Sequence, residues 1–509
     1  MRRLLLFGGA GLLVLAILAW LGARQFTPRL HDAVVSVVAG ALESSVELGA
    51  ARITFFPLQF RAESLVARHH GRRDVPPLLL VKSFVVDLSV AALWRRTIDH
   101  VAVEGVEINL PPRVGSGPRV PFDRGPSGSS RPSGVVIRRI TATNSRLMLI
   151  PRESGKNPKV WDIYSLVLHD LGGGMLASFE ASITNPIPFG TIEATGHFGP
   201  WQADDPSGTP VDGGYTFAAD LGTIKGLEGH VDAKGTMKGV LEKIATSGDT
   251  STEHFRLTRL HGSALPLTTR YEAVVDGTNG DVALTSVEIV LGLSTLHAHG
   301  AIEGTKGIKG KRVVLAVTSE KADLENLLRF LANPAKPPAR GSVGLDAAFD
   351  LRQGDEDVLD RLTLSGTVHA EQLHFTDAGA QDQIDNLSRR GQGRPSDLSI
   401  DEMASRVRGA FALTKGILNL KELAFDVKGA AIRLAGRYAL EPGTLDLSGE
   451  VRLIATASNT QTGYKSWLLK PFDPIFREGK TGTLLAIKIG GTADKPNVVL
   501  EIRRTLKGK

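Results

Sequence analysis

The chain has 509 residues, with 60 Lys plus Arg against 54 Asp plus Glu for a net charge of +6, and it has no cysteine. Disulfides, thiolate catalysis, Cys-ligated zinc and Fe–S clusters are thereby excluded, and the small, scattered charge excess argues against a dedicated nucleic-acid binder. Hydrophobic residues at 42% and charged residues at 22% argue against global disorder, while 6% aromatics and 56 glycines mark a chain of small side chains and many turns.

At the N-terminus, Arg2 and Arg3 precede an unbroken apolar run of 18 residues from Leu4 to Leu21. Its bulk comes from Leu4, Leu5, Leu6, Phe7, Leu12, Leu13, Val14, Leu15, Ile17, Leu18, Trp20 and Leu21. As a helix the run would span about 27 Å, enough for a bilayer core. It is longer than a signal-peptide core, and Leu21 with Ala23 makes a poor cleavage site. An uncleaved transmembrane anchor over 1–24 is therefore the stronger reading. Arg2 and Arg3 put the N-terminus on the cytoplasmic side, so the bulk of the chain is expected beyond the inner membrane, in the periplasm of a cell with two membranes. The missing cysteines agree with such a compartment.

Thr27-Pro28 is a helix start, and Leu30, Val34, Val37, Val38, Ala41 and Leu42 then recur on one helical face. The polar face is not basic enough for strong lipid-surface binding, so this short helix is expected to cap the end of a β-structure. After it the period changes from 3.6 to 2. Phe84, Val86 and Leu88 alternate with polar or second-face residues, and so do Val101 and Val103. Ile192 to Phe198, Tyr215 to Leu221 and Tyr271 to Val275 continue the pattern, with a hairpin turn at 276–281. It is clearest where Ile432, Leu434, Gly436 and Tyr438 lead to the turn Glu441-Pro442-Gly443, and Leu445, Leu447, Gly449 and Val451 lead away from it.

Helices are expected at Ala322 to Leu331 and at Tyr464 to Leu469. Two loops are expected, at 111–134, rich in Pro, Gly, Ser and Arg, and at 377–398, polar with a short helical turn around Ile384 to Ser388. They set off a 25–110 segment, a middle β-region at 135–376 and a C-terminal β-region at 399–509 without a change of composition. The fold class is mainly β: a transmembrane helix and one elongated body of antiparallel strands, each with one apolar face, rather than three globular domains.

The residues that carry this pattern resemble the AsmA-like family of envelope proteins. The match runs through Arg52-Ile53-Thr54-Phe55-Phe56-Pro57, the strand from Phe84, and Leu93 with Ile98-Asp99-His100-Val101-Ala102-Val103-Glu104-Gly105-Val106-Glu107-Ile108. At the other end it includes Gly463-Tyr464-Lys465-Ser466-Trp467-Leu468-Leu469-Lys470-Pro471, Asp473-Pro474, Gly482-Thr483, Ile487 to Thr492 and Lys495-Pro496. The resemblance implies an inner-membrane helix followed by a long, curled sheet whose apolar groove handles phospholipids. Phe84, Val86, Leu88, Val101, Val103, Ile432, Leu434, Leu445, Leu447 and Val451 are the expected groove lining. About 25 strands at about 4.8 Å spacing would reach on the order of 120 Å, short of the family's giant members.

Catalytic signals are weak. His297 and His299 share a strand face but have no third ligand at a useful spacing, and solvent-facing histidines are the expected reading. Gly479-Lys480-Thr481 has Pro474 where a phosphate loop needs its first glycine. Asp204-Asp205 stands in a turn context, and Arg503, Arg504, Lys507 and Lys509 form a short basic tail. No enzyme activity, cofactor or metal is called for. The expected partners are membrane phospholipids, the inner membrane and envelope proteins, with no nucleic acid. The alternative function is a non-enzymatic scaffold or regulator of outer-membrane protein assembly, its apolar faces packed shut.

Overall fold

The computed structural model describes residues 31–453 and 483–500, apart from 37, 41, 43, 56, 70–75, 90–96, 111–135, 152, 154, 172–175, 203–204, 333–336, 338, 377, 400–402 and 493–494. The transmembrane run, the 111–134 loop, the 464–469 helix, the phosphate-loop remnant and the basic tail lie outside the described residues. Among the described residues no helix is long and apolar enough to cross a membrane.

Strong period-2 alternation produces one continuous sheet of 27 strands. It opens with β1 (Ser44–Leu48), β2 (Ala51–Phe55), β3 (Leu58–His69), β4 (Leu79–Asp87), β5 (Thr97–Ile98), β6 (His100–Leu110), β7 (Val136–Leu149), β8 (Lys159–Leu171) and β9 (Ala177–Pro186). The middle holds β10 (Phe189–Phe198), β11 (Pro210–Asp220), β12 (Leu227–Glu228), β13 (His230–Val240), β14 (Lys243–Leu257), β15 (Leu265–Val275), β16 (Val282–Leu291), β17 (Ser294–Glu303) and β18 (Arg312–Asp323). It closes with β19 (Ala339–Arg340), β20 (Ser342–Leu351), β21 (Leu362–Phe375), β22 (Ser405–Thr414), β23 (Ile417–Val427), β24 (Ala430–Ala439), β25 (Thr444–Leu453), β26 (Thr483–Thr492) and β27 (Lys495–Leu500).

Each strand pairs with the next in sequence, except that four short pieces extend a neighbour. β1 and β2 share β3, β5 and β6 share β7, β12 and β13 share β14, and β19 and β20 share β21. Taking 4 from 27 leaves 23 positions, about 105 Å of sheet laid flat at about 4.8 Å per step. Two of the divided strands, β12–β13 and β19–β20, break at a glycine. Gly229 (φ +140°) and Gly341 (φ +142°) hold backbone conformations that side-chain-bearing residues disfavour. A Cβ at Gly229 would also stand 2.7 Å from Thr252 Cγ2.

The expected antiparallel pairing holds between neighbouring strands except at one step. β6 and β7 run parallel, Val101 opposite Ile140 and Leu110 opposite Leu149. A tight hairpin can join only antiparallel neighbours, whereas the long connection over 111–135 lets the chain return and re-enter in the same direction.

A correction concerns 377–398. Ala378–Gly391 is a 14-residue helix, not a polar loop. Its composition hides it, because the helix docks chiefly through hydrogen bonds. Gln381 Oε1 accepts from the Phe375 N–H at 3.0 Å, and Asp385 Oδ1 accepts from the Met403 N–H at 3.0 Å. Ser388, fully buried, donates to the Lys428 carbonyl at 2.7 Å. Ser388→Ala should therefore cost about 1–2 kcal/mol, since it removes a buried hydroxyl that donates to the Lys428 carbonyl. A denaturant melt would check this, and an unchanged midpoint would contradict it.

Two other helices match their sequence patterns. Residues 31–36, 38–40 and 42 are helical, and Val34, Val38 and Leu42 pack on the N-terminal core. Leu324–Ala332 connects β18 to the β19–β20 strand, with Leu324 and Leu327 packed on a second core.

Candidate functional site

Register decides which side chains share a face. One row of partners passes from Phe60 through Val86, Val101, Ile140, Leu168, Phe179, Gly196 and Gly213 to Met237. It continues through Thr246, Ala273, Leu284, Gly300 and Leu315 to Phe349. Leu364, Leu413, Leu418, Tyr438 and Leu445 complete it. Every strand crossed presents an apolar or small residue except β14, so one apolar face extends along nearly the whole sheet. The opposite face is polar and carries cross-strand pairs such as Arg270–Asp249 at 3.1 Å, Arg312–Asp350 at 2.7 Å and Arg433–Asp426 at 3.0 Å.

The apolar face is the inner one. Along β13, His230, Asp232, Lys234, Thr236 and Lys238 are exposed, while Val231, Ala233, Gly235 and Met237 are shielded. The cause is a winding of the sheet that brings its two long margins together. The β7–β8 turn meets the β15–β16 and β17–β18 turns: the Lys159 N–H donates to the Thr278 carbonyl and the Lys306 N–H to the Gly155 carbonyl, both at 2.8 Å. Further along, the Val358 N–H, in the β20–β21 connection, donates to the Lys225 carbonyl between β11 and β12 at 3.0 Å. Arg259, after β14, reaches Asp360 at 2.8 Å and Glu441 at 2.7 Å. The β7–β8, β11–β12 and β14–β15 connections of one margin thus rest on the other margin several strands later, and a seam runs obliquely along this part of the apolar interior.

Charge fastens this seam. Asp281 accepts from Lys156 at 2.7 Å and from Lys311 at 2.5 Å, and its side chain is only 16% exposed. Burial pushes its carboxyl up, but the hydrogen bonds from Lys156 and Lys311 outweigh that and hold it below the usual carboxylate range. A depressed folded-state value stabilises above the unfolded aspartate pKa and is lost as pH falls through the folded value. Asp281→Asn should therefore destabilise by about 2 kcal/mol at pH 7, with the gap from the native chain closing below about pH 4. Paired melts across pH 3 to 8 would measure it, and a gap independent of pH would contradict the assignment.

The ten expected lining residues fall on this inner face, eight of them in or against its N-terminal and C-terminal cores. Phe84, Val86 and Val101 are buried in the N-terminal core, with Leu88 and Val103 packed against it beneath the first helix. Leu434 and Val451 are buried in a C-terminal core that Ile432 and Leu387 pack against, Leu447 is buried, and Leu445 is partly buried. Inner positions of the middle strands lie outside both cores: Met237, Leu284, Ile289, Leu315 and Val317 are partly shielded. Their alternation was available in the sequence, but distinguishing a covered stretch from an open one requires knowing where the helices land.

A polar belt interrupts the apolar face at β14, whose inward residues include Thr246, Gly248, Thr250 and Thr252. Tyr215 and Tyr271 lean together over Gly235 and Gly248, their hydroxyls hydrogen-bonded to each other and Tyr215 to Thr246 at 2.8 Å. Burial, then the bond to Tyr215, pushes the Tyr271 phenol above its usual range, so it stays protonated. Thr250 and Thr269 share a hydrogen bond at 2.7 Å. The sequence signal was the loss of apolar alternation across β14.

His297 and His299 are exposed on the outer face of β17. Among the described residues, no three His, Asp or Glu are grouped to hold a metal. Fold and site together define a mainly β protein wound around an apolar interior. No protein-family model, curated protein or solved structure matches this chain.

Proposed function

We propose that this chain is an AsmA-like envelope protein, anchored in the inner membrane by Leu4 to Leu21, whose periplasmic sheet binds acyl chains and takes part in phospholipid transport or outer-membrane biogenesis. The observation that carries the reading is the inner row, continuous in register from Phe60 to Leu445, apolar or small on every strand but β14, and with partly shielded residues such as Met237, Leu284 and Leu315 in its middle. A soluble fold gains nothing from an interior that its own side chains leave accessible, whereas acyl chains would complete the burial. Small and branched aliphatic side chains suit flexible tails, and no covalent chemistry is required. About 105 Å of sheet before winding falls short of a complete bridge between two membranes without a partner.

The test uses the full chain in intact cells, with a photoreactive benzophenone residue at Met237 or at outward Lys238. Lipid adducts at 237 and none at 238, read by mass spectrometry, are the expected result. No adduct at 237, 284 or 315 would leave the interior as closed packing and favour the scaffold reading instead.

A further inference from the structure

Where the β7–β8 margin meets the β15–β16 turn, one end of the apolar face holds an ammonium with no counter-ion and an indole N–H with no acceptor among the described residues. Lys159 begins β8 and lies opposite Leu149 in register, so its side chain shares the inner face. Its stem passes beneath Gly280, where a Cβ would stand 3.2 Å from Lys159 Cδ. Its ammonium sits 4.7 Å from the centre of the Trp161 ring and makes no ion pair among the described residues. The nearby Asp281 is already committed to Lys156 and Lys311. Burial, with Lys311 adding repulsion, lowers the Lys159 pKa, as for a charge stripped of water without a counter-ion.

Trp201, in the turn after β10, supplies the second group. Its ring and that of Trp161 pack on the same buried triad, Leu78, Leu110 and Leu149. The Trp201 indole Nε1 is buried and has no acceptor among the described residues. Buried donors are almost always satisfied, and an unmet one marks a missing partner. A cation over an aromatic ring and an indole N–H on one apolar cluster ask for the same thing, an oxyanion attached to a hydrophobic body.

We infer that Lys159 and Trp201 form a subsite for the anionic head of a lipid, a phosphate or carboxylate, whose tails lie along the inner face from Leu149. This rests on the acyl-binding reading and adds selectivity to it. The lipid, rather than free phosphate, is the indicated source. The outer side of the seam at this point is a cleft of about 430 Å³ whose lining carries Glu153, Glu242, Asp276 and Glu303 beside the already paired Asp281 and a single lysine, Lys243, a net negative wall that disfavours a free anion.

The experiment follows tryptophan fluorescence of the full chain in uncharged micelles. The probes are phosphatidic acid brominated in its acyl chains, diacylglycerol with the same chains, and inorganic phosphate. Phosphatidic acid is expected to quench at a concentration at least tenfold lower than diacylglycerol, and inorganic phosphate should neither quench nor compete. Lys159→Met should bring the two lipids together by weakening only phosphatidic acid, Lys159→Arg should restore the difference, and Trp201→Phe, read through Trp161, should reduce it. Equal quenching by both lipids in the native chain overturns the head-group site and leaves the acyl groove standing. That comparison needs no variant and so does not depend on how any substitution folds. Displacement of phosphatidic acid by inorganic phosphate overturns the lipid as source, and no quenching by either lipid overturns both readings.

Discussion

Replacing Met237, Leu284 and Leu315 together by glutamate is expected to abolish lipid occupancy of the interior while leaving the fold in place. All three are inward and only partly shielded, so in the lipid-free chain the new carboxylates keep contact with water. With acyl chains beside them they would lose that water, at a cost of several kcal/mol each. A tenfold fall in occupancy needs only about 1.4 kcal/mol, so the effect on adduct yield should greatly exceed tenfold. Glutamates at the adjacent outward positions Lys238, Thr285 and Ala316, all exposed, make the matched control. Adduct yield beside the substituted positions, with circular dichroism to verify the sheet, decides the matter. Undiminished adducts in the inward triple variant would refute an acyl-lined interior.

Phe60→Ala should give the largest loss of stability. Phe60 is 1% exposed in β3, its ring centre 6.1 Å from that of Phe84 in β4. It lies opposite Val86 in register, within the core that Val34, Val38 and Leu42 of the first helix cover. Truncating a fully buried phenylalanine costs about 3–5 kcal/mol through lost burial and the cavity left behind. In a sheet whose strands contact mainly their neighbours, that loss should loosen the near end rather than unfold the whole. Hydrogen exchange should therefore rise over β1 to β6 and stay unchanged beyond β16. Phe84→Leu, which keeps most of the volume, should cost about 1 kcal/mol. Uniform exchange across the sheet in Phe60→Ala would instead indicate a single cooperative unit.

Legibility of the fold followed the range of the interactions involved. Alternation in 430–453 is a local property, and the strands and the Glu441-Pro442-Gly443 turn appear where it places them. The first helix and the 324–332 helix were readable because apolar residues recur on one face of each. The 378–391 helix was not, because what holds it includes hydrogen bonds to Phe375, Met403 and Lys428, residues outside its own periodicity. The parallel β6–β7 step was equally hidden, since alternation is the same for either strand direction.

The candidate site divides in the same way. The sequence by itself determined that the strands have one apolar face and one polar face, because that depends only on a period of two. Only the tertiary structure decided that the faces join into one inner surface, that the 378–391 helix packs Leu387 on the C-terminal core, and that the margins meet in a seam. Lys156 and Asp281 are 125 residues apart, and Arg259 and Glu441 are 182 apart. Trp161, beneath the Lys159 ammonium, and Trp201 share a cluster only because a turn from one margin comes to rest on the other. Such pairings are set by how far twisted strands wind before their edges touch, a sum over many small rotations that no local pattern records.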